Sequence, residues 1–201
     1  PNRESPIRWI ADALTLLQGS PSEIAGLLEN GQADVGIATE ALDNVPELAS
    51  FPFYSWHHAI IVPQGHPLLA LEKLTLEALG EYPIITYHEG FTGRAHVDKG
   101  FASAGIVPDI VLSAIDADVI KTYVGLGLGV GIVASVAYDE EQDRNLALIL
   151  VPDLFPANTT RIAVRRGTYL RSYVHAFIEK VCPDLGEEAI KSALKAQNGG
   201  D

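Results

Sequence analysis

The stretch Asp116 to Ser135, DADVIKTYVGLGLGVGIVAS, constrains the fold more than any other part of the chain. Ile120, Tyr123, Val124 and Leu126 repeat at helical spacing. Gly125, Gly127, Gly129 and Gly131 then lead into the apolar run Val130 to Ala134. The order is helix, glycine-rich turn, buried strand. A loop that cradles phosphate has the opposite order, because it must follow a strand and open a helix to aim backbone N–H groups at the anion. The glycines are therefore read as packing and turning residues, not as a cofactor box.

The same alternation runs along the chain. Ser20, Pro21 and Glu23 in QGSPSEIAGLLEN form a capping box for a helix that carries Ile24, Leu27 and Leu28 and stops at Gly31. Ala13 to Leu17 before it and Asp34 to Thr39 after it read as strands, which predicts a parallel βαβ unit. Further strands are expected at Ala59 to Val62, Ile84 to Tyr87, Ile110 to Leu112 and Thr160 to Val164. Helices are expected after Thr75, over Thr92 to Ala104, and from Gly167 through Val181. Alternation of this kind predicts an α/β fold with mostly parallel sheets. Phe51 to His58 and Val151 to Thr160 read as crossings between two lobes. They make residues 1–55 plus 160–201 a discontinuous lobe I and residues 56–159 lobe II.

Bulk properties narrow the function classes. The 201 residues carry a net charge of −12, so the surface as a whole repels polyanions and should not grip nucleic acid by itself. The single cysteine, Cys182, cannot form an internal disulfide, which fits a reducing, cytoplasmic setting. No apolar run is long enough to span a bilayer, and no secretion signal opens the sequence. The chain contains no methionine and begins at Pro1, so it is read as a piece of a longer protein.

Candidate chemistry is sparse. YHEGFTGR, Tyr87 to Arg94, follows a strand and opens a helix, the geometry that presents free N–H groups to an anion. Gly90 and Gly93 permit close backbone approach and Thr92 adds a hydroxyl; a plain capped turn explains the same residues. Thr39 ends a buried strand of the other lobe and Glu40 follows it; loops at the carboxyl ends of parallel strands are where α/β sheets bind ligands, and a plain solvated strand end explains the same residues. Asp116 and Asp118 read as cap and first-turn acid, or as carboxylates for an ammonium group, the first being favoured. His57, His58, His66, His88, His96 and His175 lack metal-ligand spacing, and no nucleophile elbow occurs. Arg161, Arg165, Arg166 and Arg171 read as a solvated face that balances nearby acids rather than as a phosphate site. No metal, no catalytic residue and no bound cofactor are expected.

Taken together, GFTGR (Gly90 to Arg94), DADVIKTYVGLGLGVG (Asp116 to Gly131), QGSP (Gln18 to Pro21) and ATEAL (Ala38 to Leu42) resemble the effector-binding domain of LysR-type transcriptional regulators. Within that family they are similar to the CysB-like branch, which controls sulfur assimilation and cysteine biosynthesis. The resemblance implies two Rossmann-like lobes with a hinge cleft, as in type 2 periplasmic binding proteins. It implies an acetylserine-type inducer, a sulfate or similar anion in the cleft, and Thr39, Glu40, Gly90, Phe91 and Thr92 around it. It also implies an upstream winged helix-turn-helix as the only contact with DNA. Effector domains would pair as homodimers, giving tetramers of the full-length protein.

The chain departs from the family pattern in two places. The family's first strand carries a Thr-x-Thr-Gln run, and Pro1 to Ala13 contains no threonine. Ile115 stands where the branch often has threonine. The competing reading is a solute-binding protein that delivers a small anion to a transporter; an enzyme on this fold would need a polar catalytic pair that the nameable loops do not offer.

Overall fold

The computed structural model describes residues 14–91 and 93–195, with the side chains of residues 40, 187 and 195 left aside. Two compact units emerge, Pro1–Phe53 with Thr160–Asp201, and Tyr54–Thr159.

In the first unit, helix α1 (Pro21–Glu29) starts as its sequence predicts. Ser20 Oγ accepts from the Glu23 amide, and the Ser20 amide donates to Glu23 Oε2 at 2.7 Å. Its apolar stripe buries Ala25 and Leu28 against Leu42, Leu48 and Ala163. Strand β1 (Gly36–Thr39) pairs antiparallel with strand β8 (Asn158–Arg165), in a register that sets Gly36 opposite Ala163 and Thr39 opposite Thr160. Strand β2 (Leu48–Trp56) flanks β8 on its other side, giving the order β1-β8-β2. The second apolar layer joins Ala49, Ile162 and Val164 to Val174 and Ile178 of helix α5 (Ser172–Val181) and Ile190 of helix α6 (Glu187–Lys195). Cys182 lies buried in this layer.

The expected strand at Ala13 to Leu17 is not there. Ala13 lies outside the described residues. Leu14 to Leu17 have no regular structure, and Leu14, Leu16 and Leu17 are exposed. An apolar run becomes a strand only where a neighbour offers N–H and C=O groups in register. Here β1 pairs with β8 along one edge, and among the described residues no strand pairs with its other edge. The parallel βαβ unit expected in this lobe is therefore replaced, among the described residues, by an antiparallel pairing.

The second unit holds a five-stranded sheet in the order β5-β4-β6-β3-β7. Its strands are β3 (His58–Pro63), β4 (Ile84–Tyr87), β5 (Ile110–Ala114), β6 (Val130–Ala134) and β7 (Leu146–Leu150). Both β5 and β6 run parallel to β4, whereas β3 is antiparallel to β6 and β7. The sheet is thus mixed rather than mostly parallel. Helices α2 (Leu76–Gly80, capped by Thr75), α3 (Arg94–Ser103) and α4 (Ala117–Gly125) cover it.

Alternate residues of each central strand feed opposite cores, which is why these strands read as unbroken apolar runs. Ile60, Val62, Ile84 and Ile132 join Val97 and Phe101 in one core; Ile61, Ile85 and Val133 join Ile120 and Val124 in the other. The glycines of the opening motif serve this packing. A Cβ on Gly131 would collide with Ile61 and stand 2.9 Å from Val124 Cγ2, so α4 lies close to the sheet because no side chain intervenes.

Candidate functional site

In the second unit β4 ends at Tyr87 and α3 begins at Arg94, so the loop between them sits at the carboxyl end of β4. Because β5 and β6 are parallel to β4, their carboxyl ends lie on the same edge. His58, paired with Ala134, brings the start of β3 there as well.

The loop is folded by its own backbone. The Phe91 amide donates to the His88 carbonyl at 3.1 Å, and the Arg94 amide to the Phe91 carbonyl at 2.9 Å. Gly90 and Gly93 hold φ values of 81° and 66°, a left-handed conformation that side chains disfavour. Phe91 packs its ring toward the Ile85–Tyr87 core and meets His88 edge-on at 6.2 Å. Thr92 lies outside the described residues.

Arg94, absent from the sequence expectations as a positioning residue, fixes the base of the loop. Its guanidinium is buried; Nη1 donates to the Tyr87 carbonyl and Nε to Asp98 Oδ1, both at 2.7 Å. The cation is therefore neutralised locally and is not offered to a ligand. The Ala134 amide donates to the Tyr87 hydroxyl at 3.2 Å, and burial pushes the Tyr87 phenol above its ordinary range, so it stays neutral. What the loop can offer an anion is its backbone N–H groups at the start of a helix, beside the exposed carboxylate of Glu89.

In the first unit Thr39 closes β1 and precedes the 3-10 turn Glu40–Asn44. It occupies the N-cap position, yet its side chain makes no capping bond, so the hydroxyl is not spent there. The premise that Thr39 ends a parallel strand is corrected: its partner strand β8 is antiparallel. Glu40 follows it, but its side chain is outside the described set. Arg161 on β8 is occupied by Asp43, with Nη2 at 2.6 Å and Nε at 2.9 Å, and also donates to Ser50 Oγ.

The remaining candidates are structural. Asp116 Oδ1 accepts from the Asp118 amide at 2.7 Å and caps α4. Arg165 donates to the Glu29 carbonyl and the Thr168 hydroxyl, and Arg166 to the carbonyls of Pro46 and Ala193. Arg165 and Arg171 are exposed and Arg161 pairs with the nearby acid Asp43, as a solvated face implies, while Arg165 and Arg166 also hold backbone carbonyls. Among the described residues no cluster of His, Cys, Asp or Glu could hold a metal ion, and no helix is long and apolar enough to cross a membrane. Sequence reasoning weighed His58 only as a metal ligand and passed over Asn158; both are fully buried polar residues behind the loop. A histidine opening the otherwise apolar run HAIIV was the available signal.

An α/β chain in two units, with a glycine loop at the carboxyl edge of a mixed sheet, defines a fold class whose family is recognisable. Residues 13–182 match the model of the LysR substrate binding domain, so the chain belongs to that family. Three similar proteins are HTH-type transcriptional regulators. SsuR of Burkholderia cenocepacia is 54% identical over 90% of this chain and 59% of its own length. CysB of the same organism is 52% identical over 92% and 59%. Cbl of Escherichia coli is 49% identical over 89% and 56%. The chain thus spans less than three fifths of the length of these relatives. The crystal structure of the cofactor-binding domain of the Cbl regulator superposes with a TM-score of 0.86 at 44% identity, covering 95% of this chain and 88% of that one. The effector-binding domain of QuiR in complex with shikimate shares the fold, with a TM-score of 0.74 at 17% identity over 89% of this chain and 87% of that one. The chain is an effector-binding domain related to the CysB, Cbl and SsuR regulators, and these relatives are regulators, not enzymes.

Proposed function

We propose that this domain senses an acetylserine-type inducer, sulfate or both, and controls sulfur-assimilation genes through a DNA-binding helix-turn-helix elsewhere in the full-length protein. The observation that carries the reading is the 49–54% identity to three regulators, CysB among them, over about nine tenths of the chain. In this reading Thr39 and Glu40 on one lobe and Gly90, Phe91 and Thr92 on the other supply the ligand contacts. The donors are hydroxyls and helix-terminal amides, because Arg94 and Arg161 are already neutralised by Asp98 and Asp43. Neutral hydroxyl and amide donors suit a small anion, whereas the Glu40 carboxylate could serve only an ammonium group of the ligand. Residues 1–55 with 160–201 and residues 56–159 act as the two lobes, and ligand-driven closure between them would reorient the effector-domain dimer, the full-length tetramer and its DNA readers. The protein works in the cytoplasm. The three relatives above are all regulators, which gives the transporter-component reading no support.

The test is thermal unfolding of the full-length protein with sodium sulfate, O-acetylserine or N-acetylserine against sodium chloride. A ligand at ten times its dissociation constant should stabilise the folded state by about 1.4 kcal/mol. Thr39→Val should reduce the shift while leaving the ligand-free midpoint nearly unchanged. Identical shifts in wild type and Thr39→Val would remove Thr39 from the site, and no shift with any of the three compounds would overturn the proposed ligand class.

A further inference from the structure

We infer that Asn158, gripped by His58, is a positioning residue that sets the height of the Gly93 backbone, and so of the loop His88–Gly93. The inference rests on the reading of that loop as part of the ligand site. Both side chains are fully buried. Nδ2 of Asn158 lies 3.3 Å from Nδ1 of His58. An amide NH2 can only donate, so His58 Nδ1 accepts and its proton sits on Nε2. The imidazole is itself wedged edge-on between Trp56, at 5.1 Å, and Phe155, at 5.5 Å.

This grip leaves the other end of the amide aimed at the loop. Asn158 Oδ1 is buried and has no hydrogen-bond partner among the described residues. A Cβ built on Gly93 would collide with that oxygen, and would lie 2.8 Å from Asn158 Cγ and 3.0 Å from the His58 ring. Gly93 therefore rests directly on the Asn158–His58 pair, with one Cα–H facing Oδ1, a weak contact that still fixes a separation. A buried acceptor without a strong donor is costly and calls for an explanation. Here the explanation is a rigid polar stop beneath the residue at the N-cap of α3.

The placement of the pair along the chain adds to this. His58 opens β3, just after β2 carries the chain into this unit, and Asn158 opens β8, through which the chain leaves it. The loop is thus keyed to both segments that connect the units, and a shift in either would be felt at Gly93.

The experiment uses the full-length protein. Asn158→Ala should speed hydrogen exchange of the 88–96 amides by about tenfold, while Ile60–Val62 in the sheet centre changes far less. Equal acceleration in both segments, or none in either, would overturn the inference and leave Asn158 an ordinary core residue. A cycle with Gly93→Ala gives the second arm. Gly93→Ala should speed 88–96 exchange, and weaken sulfate if sulfate binds, by a clearly larger factor in wild type than in the Asn158→Ala background, where the obstacle is gone. Equal factors in the two backgrounds would refute the contact. If Asn158→Ala does not fold, Asn158→Ser serves in both arms with the same criteria. Should wild type bind none of sulfate, O-acetylserine and N-acetylserine, the ligand reading fails while the exchange comparison still decides the role of Asn158.

Discussion

Replacing Lys121 with methionine removes the cation at the centre of the most concentrated polar network in the second unit. Lys121 Nζ lies 3.0 Å from Asp143 Oδ2, 3.0 Å from the Ala137 carbonyl and 2.9 Å from Asp118 Oδ1. The side chains of Lys121 and Asp143 are only 12% and 11% exposed, whereas that of Asp118 is 84% exposed. The exposed partner contributes at most about 1 kcal/mol. The buried one dominates, because among the described residues Asp143 keeps the Asp139 amide alone as a donor once the ammonium is gone. Breaking a fully buried pair costs about 3–5 kcal/mol; with both groups slightly exposed we expect about 2–4 kcal/mol.

The assay is urea unfolding of Lys121→Met, with native-state exchange of the Val130–Ala134 amides as a local readout. Adding Asp143→Asn removes the orphaned charge and should restore about 1–2 kcal/mol. A loss below about 0.5 kcal/mol would refute the reasoning, since it would mean that water replaces the ammonium without penalty. The pH dependence carries the same sign. Burial lowers the Lys121 pKa, but the hydrogen bonds and charges of Asp118 and Asp143 together outweigh it and raise the value. The Lys121 contribution is therefore fully present at neutral pH, below the ordinary lysine range, and is lost as pH rises through the raised value.

Two further outcomes follow. Gly131→Ala should destabilise by about 1–3 kcal/mol in the same unfolding assay, because its Cβ must displace Ile61 and Val124 from a filled core; an unchanged midpoint would contradict the close approach of α4 to the sheet. The Glu23 carboxyl is held below its ordinary value, first by the Ser20 amide and then by the Ser20 hydroxyl. Its help to the start of α1 should be present above the ordinary glutamate range and fade as pH falls below it, so the protection factors of the residue 21–29 amides, with the intrinsic exchange rate at each pH divided out, should fall on acidification, and Glu23→Gln should abolish that fall.

Much of this was legible in the linear text, for identifiable reasons. Ile84–Tyr87 and Val130–Ala134 are apolar on both faces, so their strand character survives any neighbour. Ser20, Pro21 and Glu23 complete a cap within one helical turn, a local event that needs no tertiary partner. Thr75 caps its short helix for the same reason. The failures are all matters of partnership. Leu14 to Leu17 look like a strand but find no ladder, and Thr39 looks like the end of a parallel strand until β8 takes the place beside it.

The candidate site divides along the same line. Left-handed glycines, a helix start and a hydroxyl are visible in GFTGR as written, because each is a property of a few consecutive residues. That Arg94 is neutralised against Tyr87 and Asp98, and that Asn158 reaches back across the chain to His58 beneath Gly93, could be decided only by the folded chain. Backbone conformation is set locally. Burial and hydrogen-bond pairing are set by whatever distant segment arrives, and a sequence states the offer without naming who accepts it.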